Sequence, residues 1–214
     1  MIDLYTWATP NGRKVSIALE ELGLPYRVHA VNIAKGEQLS EEFARISPNQ
    51  KIPAIVDSDA GLTLMESGAI LMYLAGKAGR LLPTEPDRYW EAIQWLMWQK
   101  AAFGPMLGQA LHYLKYNRGK STYSEDRFEI ETHRLYRVLD RQLESREFIA
   151  AGEYTIVDIA CWPWTARHEY QSVDLHEYPH VLDWYMRIAE RPAVRAGWAV
   201  PVPEDVPLPP PADA

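Results

Sequence analysis

The chain has 214 residues, 47% hydrophobic and 24% charged, the make-up of a globular protein with room for one large domain or two small ones. Its 29 acidic and 22 basic residues leave a net charge of −7, a field that repels nucleic acid and anionic membranes. One cysteine excludes an intrachain disulfide. With no basic, apolar leader and no run of roughly 18 apolar residues, a cytoplasmic protein is expected.

The first 80 residues alternate strand and helix patterns. Ile2 to Tyr5 reads as a strand. Thr9-Pro10 then starts a helix, with threonine at the N-cap and proline at the first helical position. Val15, Ala18, Leu19 and Leu22 form its apolar stripe, and Gly23 stops it. Tyr26 to Val31 is a second strand, and Ser40 caps a short helix ending near Ile46. Ile52 to Val56 and Leu62 to Met65 are strands joined by a short turn, so they form a hairpin. Ser67 is expected to cap the next helix, which carries Ile70, Leu71 and Leu74. The order is β-α-β-α-β-β-α, an α/β domain over residues 1–80.

Residues 81–87 read as a linker, and the pattern then becomes all-helical over 88–200. Helices are predicted over Trp90–Met106, Ser124–Leu143, Thr155–His168 and Tyr178–Arg191. Leu135, Val138, Leu139 and Leu143 give one core stripe. Thr155 and Asp158 have the spacing of a capping box, with aspartate replacing the usual glutamate or glutamine. Residues 201–214 hold six prolines and are expected to be extended or disordered.

Three short segments carry groups suited to a ligand. The turn at Thr9-Pro10-Asn11 opens a helix, where unpaired N–H groups and the macrodipole favour an anion, a thiolate included. Lys51-Ile52-Pro53 reads two ways: a plain strand opening, or a cis bond that turns the Ile52 backbone toward an extended peptide. Glu66-Ser67 is either an ordinary helix start or a second carboxylate site, with Glu66 placed to hold an ammonium. Together they suit a small peptide with two carboxylates, an amine and a thiol, and glutathione has those groups. Cys161 lies far along the chain on an apolar helical face, where packing is the expected role. Tyr5, inside the first strand, is also expected in the core. His176 and His180 are interrupted by Pro179 and lack a third ligand, so no metal is expected.

The chain resembles the glutathione transferases over nearly its whole length, most of all the Nu class of glutathione-dependent disulfide-bond oxidoreductases. The resemblance rests on Thr9-Pro-Asn-Gly12, Ile46-Ser-Pro-Asn-Gln-Lys-Ile-Pro-Ala-Ile-Val56, Glu66-Ser-Gly-Ala-Ile-Leu71, Gly104-Pro-Met-Leu-Gly-Gln109 and Asp158-Ile-Ala-Cys-Trp-Pro-Trp164. It implies a thioredoxin-like domain followed by an all-helical domain, usually in a homodimer, with a cis-proline at Pro53. It implies that the Thr9 hydroxyl and Asn11 face the glutathione sulfur. Ile52 pairs with the cysteinyl unit, Lys51 and Gln38 lie near the glycyl end, and Glu66 and Ser67 hold the γ-glutamyl end. Arg127 matches an arginine that reaches a ligand from the neighbouring subunit. The implied activity is reduction of disulfides by a bound glutathione thiolate, with no metal. The same fold also serves transferases that conjugate electrophiles or reduce hydroperoxides, and non-catalytic binding modules.

Overall fold

The computed structural model describes residues 1–210, which fold into two compact units. The first holds Met1–Leu82 together with Glu190–Val206; the second holds Pro83–Ala189 and residues 207–210. Among the described residues no helix is long and apolar enough to cross a membrane.

The first unit follows the expected order: β1 (Ile2–Thr6), α1 (Pro10–Leu22), β2 (Tyr26–Ala30), α2 (Glu41–Ile46), β3 (Ala54–Asp57), β4 (Leu62–Met65) and α3 (Ser67–Ala78). The four strands form one sheet in the order β2-β1-β3-β4. β1 runs parallel to β2 and antiparallel to β3, and β3 is antiparallel to β4. β1 alternates as a half-buried strand should, with Ile2, Leu4 and Thr6 inward. The predicted α1 stripe of Val15, Ala18, Leu19 and Leu22 is buried, as are Ile70, Leu71 and Leu74 of α3. α1 ends at Gly23 (φ 65°), a left-handed conformation in which the Leu24 N–H reaches back to the Leu19 carbonyl.

The second unit contains α4 (Pro86–Trp98), α5 (Gly104–Ala110), α6 (Thr122–Leu143), α7 (Ile156–Thr165) and α8 (Pro179–Ala189). The helix predicted over Trp90–Met106 is longer and irregular, because π-helical turns at Gln99–Phe103 and Leu111–Tyr116 continue it on both sides of α5. Pro105 explains the first of these. It has no N–H, and its ring would strike the carbonyl four residues back, which a wider turn relieves. The capping box at Thr155 forms as expected: the Thr155 N–H donates to Asp158 Oδ2 at 2.9 Å and the Val157 N–H to Thr155 Oγ1 at 3.2 Å. Asp158 does more than cap, since its Oδ1 also accepts the Ile149 N–H (3.0 Å) and the Trp184 Nε1–H (2.9 Å).

The chain's last part departs from the expected boundaries. A short helix, α9 (Pro192–Trp198), which the periodicity did not single out, belongs to the first unit rather than to a helical domain ending at residue 200. The reason is close packing on α1: a Cβ on Gly197 would stand 2.5 Å from Ile17 Cα, so only glycine permits this approach. Residues 201–206 form no helix but are anchored, with Trp198 Nε1 donating to the Asp205 carbonyl at 2.9 Å and Glu204 paired to Arg13. The part of the proline-rich tail at 211–214 lies outside the described residues.

Candidate functional site

The sheet register brings the three ligand-suited segments to one edge. Ala54 opens β3 and pairs with Tyr5 near the end of β1 on one side and with Met65 at the end of β4 on the other. The residues just beyond that row are therefore Trp7–Asn11 from β1, Lys51–Pro53 leading into β3, and Glu66–Ser67 from β4. With neighbouring strands about 4.8 Å apart, these segments fall within reach of one small extended ligand.

The first segment is the start of α1. Thr9 is the N-cap, in extended conformation, and its Oγ1 accepts the Gly12 N–H at 3.2 Å. That bond uses an oxygen lone pair and leaves the hydroxyl hydrogen available to donate. The Thr9 carbonyl accepts the Arg13 N–H at 3.0 Å, and Asn11 sits half-buried in the same turn. Gly12 is required by proximity: a Cβ there would meet the Trp7 carbonyl oxygen at 2.2 Å and Thr6 Oγ1 at 2.4 Å. The turn thus lies directly against the chain leaving β1. Thr9-Pro10 marked a helix start in the sequence, but nothing there signalled this contact.

The second segment is a braced loop. Buried Ser47 donates through Oγ to the Lys51 carbonyl at 2.9 Å, and the Gln50 N–H donates to the Ser47 carbonyl at 2.8 Å, with Gln50 itself at φ 52°. Ser47 is a residue the sequence reading did not single out. The Ile52–Pro53 bond is cis, which decides between the two readings of this proline. The strand ladder begins only at Ala54, so the Ile52 backbone lies outside the pairing with β1 and β4. The Ile52 side chain packs with Tyr5 and Ile46 against Val31, Phe43 and Ala54. Gln50 Nε2 donates to the Leu39 carbonyl at 3.4 Å and ties this loop to the 3-10 turn at Glu37–Leu39. Gln38 lies in that turn, and among the described residues its buried Oε1 has no hydrogen-bond partner.

The third segment corrects an expectation. Ser67 does not cap α3; it is the first helical residue, nearly fully buried, and the cap position is Glu66. Glu66 has φ 71° and ψ 110°, a conformation rare for a residue with a side chain. β4 ends at Met65, so this one residue must absorb the whole change of direction from strand to helix, and the helical dihedrals begin at Ser67.

Among the other predicted residues, Tyr5 stacks on His29 (centroids 4.5 Å apart, planes at 12°), and burial pushes its phenol pKa up, aided by Asp3 and Glu42. Tyr5 is half-buried and packs against the Val31, Phe43 and Ala54 cluster, so it borders the core rather than lying inside it as expected. Cys161 is wholly buried in α7. Arg127 belongs to the second unit, on α6, where it lines a groove of about 510 Å³ with Met106, Tyr123, Asp126, Phe128 and Glu131. Among the described residues no group of three or more His, Cys, Asp or Glu side chains forms a cluster fit to hold a metal ion.

The opposite end of β3 carries an anchor. Asp57 Oδ2 accepts both Lys77 Nζ and the Tyr73 hydroxyl, each at 2.6 Å. These two donors hold its carboxyl pKa down at about 2.

Residues 1–76 match the glutathione S-transferase N-terminal domain family and residues 99–192 the C-terminal domain family. The chain is 48% identical over 198 residues to the disulfide-bond oxidoreductase YfcG of Escherichia coli, covering 90% of this chain and 92% of that one. It is similar to a crystal structure of a glutathione transferase from Pseudomonas putida with one glutathione disulfide bound per subunit. That match has a TM-score of 0.89 and 42% identity and covers 94% of this chain and 91% of that one. A glutathione transferase from Burkholderia graminis with two glutathione molecules bound per subunit matches with the same TM-score at 41% identity, over 94% and 88% of the two chains.

Proposed function

The chain belongs to the glutathione S-transferase family, and on that premise we propose that it is a glutathione-dependent disulfide-bond reductase whose reactive sulfur is the ligand's own. The observation that carries this reading is a pair: a helix-start turn at the sheet edge, and a sole cysteine sealed inside α7. In this reading the Thr9 hydroxyl and Asn11 hold the glutathione thiolate. The Ile52 backbone, released from the sheet before cis-Pro53, pairs with the cysteinyl unit. Lys51 and Gln38 meet the glycyl end, and Glu66 and Ser67 the γ-glutamyl end. The orphaned Gln38 Oε1 supports a ligand donor there. The names of the related proteins support the substrates: one is called a disulfide-bond oxidoreductase, and others hold glutathione disulfide or two glutathiones.

The chemistry balances with two glutathiones. One bound thiolate attacks a disulfide, forms a mixed disulfide and expels a thiolate. A second glutathione attacks the mixed disulfide, releasing the other substrate thiol and leaving glutathione disulfide. A free thiol with pKa near 8.5 is only about 3% ionised at pH 7. A drop of about two units raises the ionised fraction roughly 25-fold, but a Brønsted slope near 0.45 lowers nucleophilicity roughly eightfold. The net gain is a few-fold, so holding the thiolate in line with the disulfide must supply the rest.

Arg127 acts from the partner subunit of a homodimer. Its setting beside the exposed Tyr123 and Ile130 of α6 supports a role at a subunit face. A reducing, cytoplasmic compartment suits this chemistry. The test is Cys161→Ala: a folded variant keeps its disulfide reductase rate, and loss of that rate assigns the chemistry to the protein's thiol instead.

A further inference from the structure

We propose that the segment Glu190–Val206 is a strap that positions the sulfur-facing turn, with Arg13 and Trp198 as its positioning residues; this rests on the assignment of Thr9 and Asn11 to the glutathione sulfur. The strap is fastened to α1 at three levels. At the far end, Arg191 donates to both carboxylate oxygens of Glu21, at 2.6 and 2.9 Å. In the middle, Ser16 Oγ donates to the Gly197 carbonyl at 2.6 Å, where the two helices touch through backbone. At the near end, Arg13 is fully buried, its guanidinium 3.5 Å from the centre of the Trp198 ring and paired to Glu204.

The near end is the informative one. Arg13 is the residue whose N–H donates to the Thr9 carbonyl, so its placement and that of the N-cap are linked by one hydrogen bond. Apolar side chains at this position would hold α1 at the right distance yet let it turn or slide. A guanidinium stacked on an indole face with a carboxylate on its edge has one geometry, and it sets the rotation of the helix as well. Burying a guanidinium is unfavourable unless it is paired, so the arrangement is an expensive way to obtain mere cohesion. It is a direct way to fix where the first turn points. Trp198 is itself held by the bond from Nε1 to the Asp205 carbonyl.

The experiment uses the full chain with glutathione as probe. It reads the pH titration of the bound thiolate by its ultraviolet absorbance, together with kcat/KM for a small disulfide, glutathione affinity and melting temperature. Trp198→Ala raises the bound thiol pKa by about one unit, which takes the ionised fraction at pH 7 from about three quarters to about one quarter, a roughly threefold loss of thiolate. It lowers kcat/KM about tenfold and changes glutathione affinity less than threefold. Trp198→Phe, which keeps an aromatic face, restores most of both. Arg191→Met loosens the far end and lowers the melting temperature but leaves the thiol pKa in place. If Trp198→Ala does not fold, Trp198→Met, which keeps apolar bulk without the ring, carries the same expectation. A folded Trp198 variant with the wild-type thiol pKa overturns the strap's role. So does an Arg191→Met variant that shifts the pKa equally, because that would be a general effect of stability. If the wild-type protein binds glutathione without forming a thiolate, the assignment of Thr9 and Asn11 fails first, and the strap's role falls with it.

Discussion

Tyr5 and Met65 stand opposite the same residue, Ala54, on its two sides in the sheet. That one row aligns the end of β1, the start of β3 and the end of β4. The chain on leaving or entering each strand therefore arrives at a common edge. The first prediction concerns what happens there. Asn11→Ala lowers turnover about tenfold with little change in glutathione affinity, the loss of one charge-assisted hydrogen bond of ~1.4 kcal/mol. Thr9→Ala does the same and also costs about 1 kcal/mol of stability, because its oxygen caps α1. Steady-state kinetics with thermal unfolding separates the two variants.

Gly12→Ala tests the close approach of α1 to the chain leaving β1. A methyl group there collides with the Trp7 carbonyl and with Thr6 Oγ1, both at under 2.5 Å. The helix start must shift outward, at a cost of about 2 kcal/mol. Calorimetry with glutathione then shows weakened binding, whereas Gly76→Ala, where nothing lies within 4 Å, leaves binding unchanged.

Acid stability depends on Asp57. Its pKa is held at about 2 in the folded chain, below the ordinary carboxylate value of about 3.9. A carboxyl depressed in this way stabilises the fold above its unfolded pKa, and that contribution fades as pH falls from about 4 toward 2. Lys77→Met removes one of the two donors. Its melting temperature falls below wild type at neutral pH, and the gap narrows across that window. Asp57 pairs with Ile2 and Leu62, at the other end of the sheet from the ligand edge, so glutathione kinetics do not change.

Asp158 shifts the opposite way, up to about 6, because burial outweighs the Ile149, Thr155 and Trp184 N–H groups that favour its charge. A folded pKa above the unfolded one means that this group's contribution declines as pH rises from about 4 through 6. Removing the side chain is worse than ionising it. Asp158→Ala strands three buried N–H donors and costs roughly 3 kcal/mol or more, measured by denaturant unfolding.

Much of this protein is legible in its residues alone. The caps at Thr9, Ser40 and Thr155, the apolar stripes of α1 and α3, and the β3–β4 hairpin are local patterns. Their physics acts within a turn or between adjacent residues, so the sequence by itself determines them. The motif around Lys51-Ile52-Pro53 also carried the family resemblance. Other features were not legible because they are consequences of pairing between distant segments. The Ser67 cap failed because the end of β4, not the serine, decides which residue makes the bend, and Glu66 takes a positive φ to do it. The orphaned Gln38 oxygen, the Ser47 brace and the attachment of α9 to α1 each need two parts of the chain placed side by side. Residue types and their spacing specified the elements and supplied the chemical groups. Only the register of the sheet and the close approach at Gly197 decided which groups share an edge and which stretch of the chain's end lies against α1, because strand pairing and backbone packing are set between segments and leave no periodic trace within either one.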